Sequence, residues 1–500
     1  MPAVAEKKRL ARNVLANVLQ TLVGAGLLLA LYRYVNTTLG IEQLGVWSVV
    51  LTTVSASRLA DMGLSAGVIR FVARYRGRGQ MDRAGQVIDT TALTLMVLIG
   101  VALPMLYPLL MRLMPHLFES AHLAQALLIL PYALGSLWLI MVAAVFQGGL
   151  DGCQRMDFRA GLVVAGQALL LALAFLWVPR NGLMGLAWAQ IGQGAFLLIA
   201  GRFLLRRALP TVPRIPWRWR WPILREMLGY GANLQAATLF MLLLEPVTNA
   251  LMARFGGPAA AGYFAMANQV VLKTRGLIVS ANQAVVPHVA TVAESEPGSL
   301  DRLYRDSMST LVFVTLPLFA LLFAWAGGVS WLLADAYEPD FVFLLGVTSI
   351  AWSFNIFAGP AYFTNVGTGH VGWNTMTHLI LGVLNVGLGW LLGSLYGADG
   401  VAYAYAVALA IASSALIAVF QRQNKGAWRD VFSPDDLGLL VASAVVVIFA
   451  STSPLQISTS GPAALATGLI LPPVVLGVVT WRHPMRRRIF AWLVAHPASK

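Results

Sequence analysis

Charge is what this sequence has least of. Only 11% of its 500 residues are Asp, Glu, Lys or Arg, against 58% apolar, where an ordinary soluble domain carries roughly 25% charged residues. That deficit excludes a soluble fold, and a mean hydropathy of +0.72 agrees. No polar stretch is long enough to form a separate soluble domain. Cysteine is nearly missing too. Cys153 stands alone, which excludes an internal disulfide and any multi-thiolate metal site. There is no Gly-x-x-x-x-Gly-Lys-Ser/Thr phosphate loop. His116, His122, His288, His370, His378, His483 and His496 are scattered without metal-ligand spacing. Neither a metal nor a cofactor is therefore expected. Asp335, Glu338 and Asp340 cluster in a short loop, but they lack a partner base or a ligand set, so a solvated loop explains them better than catalysis.

What is present is a train of apolar runs, each long enough to cross about 30 Å of hydrocarbon. Helices are the expected spanning form, because a lipid-exposed backbone must satisfy its own hydrogen bonds. The pattern predicts spans at 14–36, 44–71, 85–111, 121–147, 160–178 and 183–204, then at 225–253, 258–290, 306–333, 340–366, 373–397 and 399–421. Two more follow at 437–452 and 461–481. Lys7-Lys8-Arg9 and the apolar run from Val14 read as the first of these spans rather than as a signal peptide, since the run is long and no convincing cleavage site follows.

The net charge of +14 would suggest a nucleic-acid partner in a soluble protein. Its placement points elsewhere. With the N-terminus in the cytoplasm and the spans alternating, 28 of the 35 Lys and Arg residues fall in cytoplasmic segments. Only Arg33, Arg112, Arg180 and Arg254 fall on the other side. This is the asymmetry of the positive-inside rule. It predicts a multi-pass membrane protein with both termini cytoplasmic.

The first half recurs in the second. Gly40-Ile-Glu-Gln-Leu-Gly45-Val-Trp47 returns as Gly257-Pro-Ala-Ala-Ala-Gly262-Tyr-Phe264. Phe146 and Gly152 return as Phe363 and Gly369, and Asn181-Gly-Leu-Met-Gly-Leu-Ala-Trp-Ala189 as Tyr396-Gly-Ala-Asp-Gly-Val-Ala-Tyr-Ala404. The offsets are 217, 217 and 215 residues in the same order. Six spans per half is an even number, so the repeat is parallel, a layout of transporters that bind cargo between repeats. The expected architecture is an all-α polytopic membrane protein of about fourteen helices, two parallel-repeat six-helix bundles plus two C-terminal helices. Its segments are 1–204, a basic and aromatic cytoplasmic linker at 205–224, 225–421, and the two extra helices with a basic cytoplasmic tail at 422–500. In the linker, Trp217-Arg-Trp-Arg-Trp221 alternates rings and guanidiniums. Such a run can bind single-stranded nucleic acid. Anchoring at the lipid headgroups fits better in this context, so no nucleic-acid partner is expected.

Ionisable groups inside spans are costly and mark functional sites by default. Arg58 and Asp61 share a face of the second span, open to either an internal ion pair or a cavity role. Glu245 precedes Pro246 in the seventh, where it could pair with Lys273 or Arg275 or carry a coupling cation. In the eighth, Asn268, Arg275 and Asn282 form one stripe, flanked by Gln269, Lys273, Gly276, Ser280 and Gln283. The opposite face is apolar, so this helix is expected to border water or an anionic ligand. The candidate substrate-binding residues are therefore Arg58, Lys273, Arg275, Asn268, Gln269 and Asn282, with Asp61 and Glu245 as candidate ion-coupling groups. His378 and Asn385 share a face of the eleventh span and read as packing contacts.

These residues resemble the polysaccharide (O-antigen type) flippases of the multidrug/oligosaccharidyl-lipid/polysaccharide exporter superfamily. The likeness is carried by Arg12-Asn13, by Leu39-Gly40 through Gly45-Val-Trp-Ser48, and by Asp61-Met-Gly-Leu64 with Arg70. In the second half it is carried by Phe255-Gly256 to Gly262-Tyr263 and by Pro287, and it covers about residues 8–425. It implies two bundles around a V-shaped cavity, alternating access, and a polyprenyl-diphosphate-linked oligosaccharide as cargo for polysaccharide, O-antigen or lipopolysaccharide biosynthesis. The partners it implies are that glycan lipid, membrane lipids and a polysaccharide polymerase complex. Family cavities are often cationic, which suits Arg58, Lys273 and Arg275. Asp61 and Glu245 depart from an all-basic lining. The last two helices are expected either to shape a groove for the isoprenoid tail or to pack only.

A drug/cation antiporter of the same superfamily would prefer acidic cavity residues. A polysaccharide polymerase or ligase would present a sizeable outer loop with catalytic residues, which this chain lacks; it is not expected to be an enzyme. The Asp/Arg/Gly-rich signature of major-facilitator carriers is not found in Arg74–Gly85.

Overall fold

The computed structural model describes residues 2–61, 64–213, 215–283, 300–368, 372–424, 432–452 and 462–487, with side chains described over most of that length. Everything regular in it is helical. The elements are α1 (Pro2–Leu39), α2 (Ile41–Ser55), a 3₁₀ turn (Ala56–Asp61), α3 (Leu64–Gly77), α4 (Met81–Leu117), α5 (Ser120–Gly152), α6 (Met156–Ala208) and α7 (Trp221–Gln283). Then come α8 (Leu300–Ala324), α9 (Ala326–Ala334), α10 (Pro339–Phe357), α11 (Gly359–Thr368), α12 (Gly372–Gln423), α13 (Pro434–Thr452) and α14 (Pro462–Arg482).

These elements map onto the expected fourteen spans in order, with instructive departures. Three long helices each hold two spans, divided by one non-helical glycine: Gly182 in α6, Gly257 in α7 and Gly397 in α12. Conversely, three expected spans are broken. The second passes through the 3₁₀ turn, the ninth divides at Trp325 and the tenth at Ala358. Pro246 does not interrupt α7, which leaves helical geometry only at Gly257. Ser280 and Asn282 lie at its end with their side chains outside the described residues, as do Pro287 and Gly369 altogether.

The duplicated glycines are duplicated in geometry. Gly182 and Gly397 have φ of 55° and 65° with ψ of −135° and −142°, a region open essentially to glycine alone. Three residues on, a Cβ at Gly185 would lie 2.4 Å from the Trp177 carbonyl oxygen, and one at Gly400 would lie 2.0 Å from that of Leu392. Trp177 and Leu392 are themselves 215 residues apart. Gly45 and Gly262 meet each other. A Cβ on Gly45 would lie 1.7 Å from the Pro258 carbonyl oxygen, and one on Gly262 would lie 2.6 Å from that of Ile41. The starts of α2 and of the second half of α7 are thus in backbone contact, and the contact is reciprocal.

Packing divides the chain into two compact units, Met1–Gly262 and Tyr263–Lys500. In the second unit the last two helices lie on α8. Leu439 joins a buried cluster with Tyr304, Met308 and Val312. Ala442, Val446 and Leu476 close around Ala320. A polar tie reinforces this: buried Asp436 accepts hydrogen bonds from Ser309 (2.9 Å) and Ser433 (2.7 Å), and His483 Nε2 lies 3.2 Å from it.

Candidate functional site

Arg275 is the centre of the most functionally suggestive cluster in the second unit. One helical turn is 3.6 residues, so Asn268 and Arg275 share a stripe of α7. In the structure that stripe faces α10 and α12. The Arg275 guanidinium lies over the Trp352 ring, 4.6 Å from its centroid, and Nη2 donates to Asn355 Oδ1 at 3.0 Å. Its Nε is buried without an acceptor, and no carboxylate among the described residues pairs with it. Tyr362 and His378 lie within electrostatic reach of the charge. The guanidinium is thus half-buried and held by a ring and an amide, with its inner Nε left unsatisfied.

The other candidates are distributed differently. Asn268 is buried, and its Oδ1 accepts from Trp352 Nε1 (3.3 Å) and the Tyr405 hydroxyl (3.4 Å), so it braces the aromatic wall. Lys273 and Gln269 are half-buried. Lys273 sits about 160° around the helix from Arg275, so the two cations face away from each other. Sequence reasoning had no means of adding Trp352, Asn355 and Tyr362 to this site. Polar residues interrupting the apolar tenth span were the available signal.

In the first unit, Asp61 is a helix cap. Its carboxylate accepts from the Ser65 backbone N–H (3.1 Å) and hydroxyl (3.1 Å) at the start of α3, satisfying donors that a helix N-terminus leaves open. The Arg58 side chain lies outside the described residues. Its backbone is in the 3₁₀ turn, where residues three apart eclipse. Glu245 is half-buried, within electrostatic reach of buried Tyr32. One turn on, Asn249 donates to the Ser48 and Thr52 hydroxyls at 3.3 and 3.2 Å, while its own Oδ1 is buried without a donor. Among the acidic loop residues, Glu338 is engaged structurally, accepting from the Tyr263 hydroxyl at 2.7 Å. No group of three or more metal-ligating side chains occurs among the described residues.

One buried charge at the start of the third span escapes the sequence reading altogether. Asp89 lies within the third span with 0% side-chain exposure. It receives Arg202 Nη2 at 3.1 Å and Arg218 Nε at 3.0 Å. Arg218 also reaches Asp82 (2.6 Å) and the Thr211 carbonyl (2.8 Å), and Arg202 reaches the Pro213 carbonyl (2.8 Å). This node fastens the linker to α4. It corrects the expectation that the linker arginines all meet lipid, since Arg218 is spent on carboxylates.

The family model described as "Polysaccharide biosynthesis protein" matches residues 10–292, more than half of the chain. No curated protein matches it in sequence. Among solved structures, it resembles an inward-facing multidrug resistance MATE family transporter of the MOP superfamily, with a TM-score of 0.71 at 17% identity, covering 83% of this chain and 98% of that one. It resembles the lipid II flippase MurJ in an inward closed conformation with a TM-score of 0.70 at 12% identity, covering 96% and 99%. It also resembles a MOP superfamily transporter from Pyrococcus furiosus, with a TM-score of 0.55 at 16% identity, covering 83% and 94%. Such identities establish a shared fold, and the family match adds the lineage. The chain thus belongs to the polysaccharide biosynthesis protein family and is a multi-pass, all-helical membrane protein with the fold of these transporters.

Proposed function

We propose that this protein is a transporter of the polysaccharide-flippase type in the MOP superfamily and moves a polyprenyl-diphosphate-linked oligosaccharide from the cytoplasmic to the outer leaflet of the bacterial inner membrane. The glycan would feed O-antigen or related polysaccharide synthesis, with movement by alternating access between the repeats 1–204 and 225–421. The observation that supports this reading is Arg275: a guanidinium inside a membrane bundle, stacked on Trp352 and with no carboxylate partner among the described residues. A diphosphate supplies the missing acceptors and charge. Spontaneous crossing of such a lipid is blocked by its charge and its glycan. A cationic site replaces the hydration of the diphosphate, while the tail stays in hydrocarbon. Arg58, Gln269 and Asn282 are the further proposed contacts, Lys273 would meet the cargo only from the other side of α7, and Asn268 positions the wall.

The tail has a suitable surface in the second unit. A cleft of about 440 Å³ is walled by Phe319 and Phe323 of α8, Phe354 of α10, Ile417 of α12, and Leu440 and Val447 of α13. The extra helix α13 thereby contributes a wall of hydrocarbon rather than packing alone. A cation antiporter would need free acidic groups, and Asp61 is already engaged as a cap. Glu245 remains the candidate for ion coupling.

The test is accumulation of lipid-linked repeat units in cells lacking the chromosomal copy. Arg275→Ala and Lys273→Ala should each insert normally and fail to relieve accumulation. Arg275→Lys should restore only part of the activity, since it keeps charge but loses the planar stack on Trp352. Full relief by both alanine variants would refute the assignment.

A further inference from the structure

The linker carries an exposed apolar row that the transport site does not use. Residues 216–220 have no helical or turn geometry, and extended backbone sends alternate side chains to opposite sides. Ile215, Trp217, Trp219 and Trp221 are 74%, 71%, 48% and 54% exposed. Between them Arg218 turns the other way, onto Asp82 and Asp89. The strap is also fixed in depth. Thr90 Oγ1 donates to the Arg218 carbonyl at 3.3 Å and accepts from Arg220 N at 3.2 Å, and Trp219 Nε1 donates to Thr94 Oγ1 at 3.1 Å.

Those α4 residues mark a boundary. Met81–Thr91 holds Asp82, Arg83, Gln86 and Asp89, whereas no charged residue occurs from Ala92 to Met111. That uncharged run is about 30 Å of helix, the thickness of the hydrocarbon. Trp219 therefore hydrogen-bonds to α4 at the edge of the apolar layer. Indoles prefer this depth. The flanking Arg207, Arg220 and Arg225 are exposed and supply positive charge on the same segment.

We propose that Ile215–Trp221 is a membrane-interface strap, with its indoles at the hydrocarbon edge and Arg207, Arg220 and Arg225 on anionic headgroups of the cytoplasmic leaflet. The carboxylate node beneath sets its register, because holding Arg218 inward forces the row of rings outward. Single-stranded nucleic acid is the competing occupant for interleaved rings and guanidiniums. It is disfavoured because Arg218, at the middle of the run, is turned inward and already paired with two carboxylates.

The experiment places a nitroxide on Trp217→Cys, since Trp217 is the most exposed of the three rings and makes no hydrogen bond among the described residues. The native Cys153 is buried, and burial pushes its thiol up against the pull of Arg76 and Arg155, so it competes poorly for label. The full chain is reconstituted in vesicles of equal parts phosphatidylcholine and phosphatidylglycerol. Collisions with oxygen and with an aqueous nickel chelate are then compared with those of a label on Asn424→Cys, an exposed position after α12. The label at 217 should favour oxygen, and that at 424 the chelate. Chelate access at 217 equal to that at 424 would overturn the proposal. Equal depth in phosphatidylcholine alone would overturn the role of anionic headgroups. Immobilisation of the label by a single-stranded oligonucleotide, without lipid protection, would assign the strap to nucleic acid instead. Each variant is first required to elute as a monodisperse species in detergent, and the comparison is repeated at Trp221→Cys, where chelate access equal to that at 424 would likewise count against the proposal.

Discussion

Two carboxylates seven residues apart illustrate how burial decides what an ion pair is worth. Asp82 and Asp89 both hold Arg218, but the Asp82 side chain is 65% exposed and that of Asp89 is 0% exposed. Exposed pairs contribute about 0–1 kcal/mol, because water and salt screen them. Removing one member of a buried pair costs about 3–5 kcal/mol, because the remaining charge is left desolvated and alone. Asp89→Ala should therefore lower the thermal midpoint of the detergent-solubilised protein strongly, while Asp82→Ala barely moves it. Equal shifts would show that Asp89 is reached by water. Arg218→Ala should fall between them, since Arg202 still neutralises Asp89 while the linker loses its fastening. Asp89 was not legible in the sequence. It is one acid among threonines at the start of an apolar run, and its partners lie 113 and 129 residues away. Periodicity reports which face a residue is on, never which distant charge that face will meet.

At the scale of elements, the glycines carry the duplication because they carry constraints that a backbone cannot evade. Gly182 and Gly397 both require a φ/ψ pair that costs other residues about 1–3 kcal/mol, so matched substitution to alanine should destabilise each by a similar amount. Gly45 and Gly262 have ordinary dihedral angles but no room. Gly45→Ala would drive a methyl into the Pro258 carbonyl, separating α2 from α7, and it should reduce transport more than Gly182→Ala does at equal loss of stability. Thermal midpoints and accumulation of lipid-linked repeats, measured on the same variants, check both statements. These positions could be read from the sequence because a repeat offset preserves backbone constraints even when side chains diverge. The breaks at the 3₁₀ turn, Trp325 and Ala358 could not. Nothing in an apolar run marks where its hydrogen-bonding register shifts, and the Asp61 carboxylate became visible as the α3 cap only once that turn was in place. The Arg275 stripe was legible, but its wall was not, since Trp352 and Tyr405 look like ordinary apolar packing in their own helices.

The whole molecule has a handedness across the membrane that a few labels can determine. α4 runs from Met81 to Leu117, 37 residues and about 55 Å, so its ends emerge on opposite sides of a layer about 30 Å thick. Gln80 and Glu119 are exposed at those two ends. Asn424, after α12, is separated from Gln80 by ten spans if α6, α7 and α12 each contain two and the broken pairs α8–α9 and α10–α11 each count as one. An even count returns the chain to the side it left. Single cysteines at Gln80 and Asn424, in a Cys153→Ser background, should therefore resist a membrane-impermeant maleimide added to intact spheroplasts and react in inside-out vesicles, with Glu119→Cys behaving oppositely. The positive-inside rule assigns the Gln80 side to the cytoplasm, where Arg70, Arg74, Arg76, Arg78 and Arg83 gather. If Gln80 and Asn424 label from opposite sides, one glycine-divided helix crosses only once. The parallel repeat would then be lost, and with it the pairing of two like bundles on which the proposed alternating access depends.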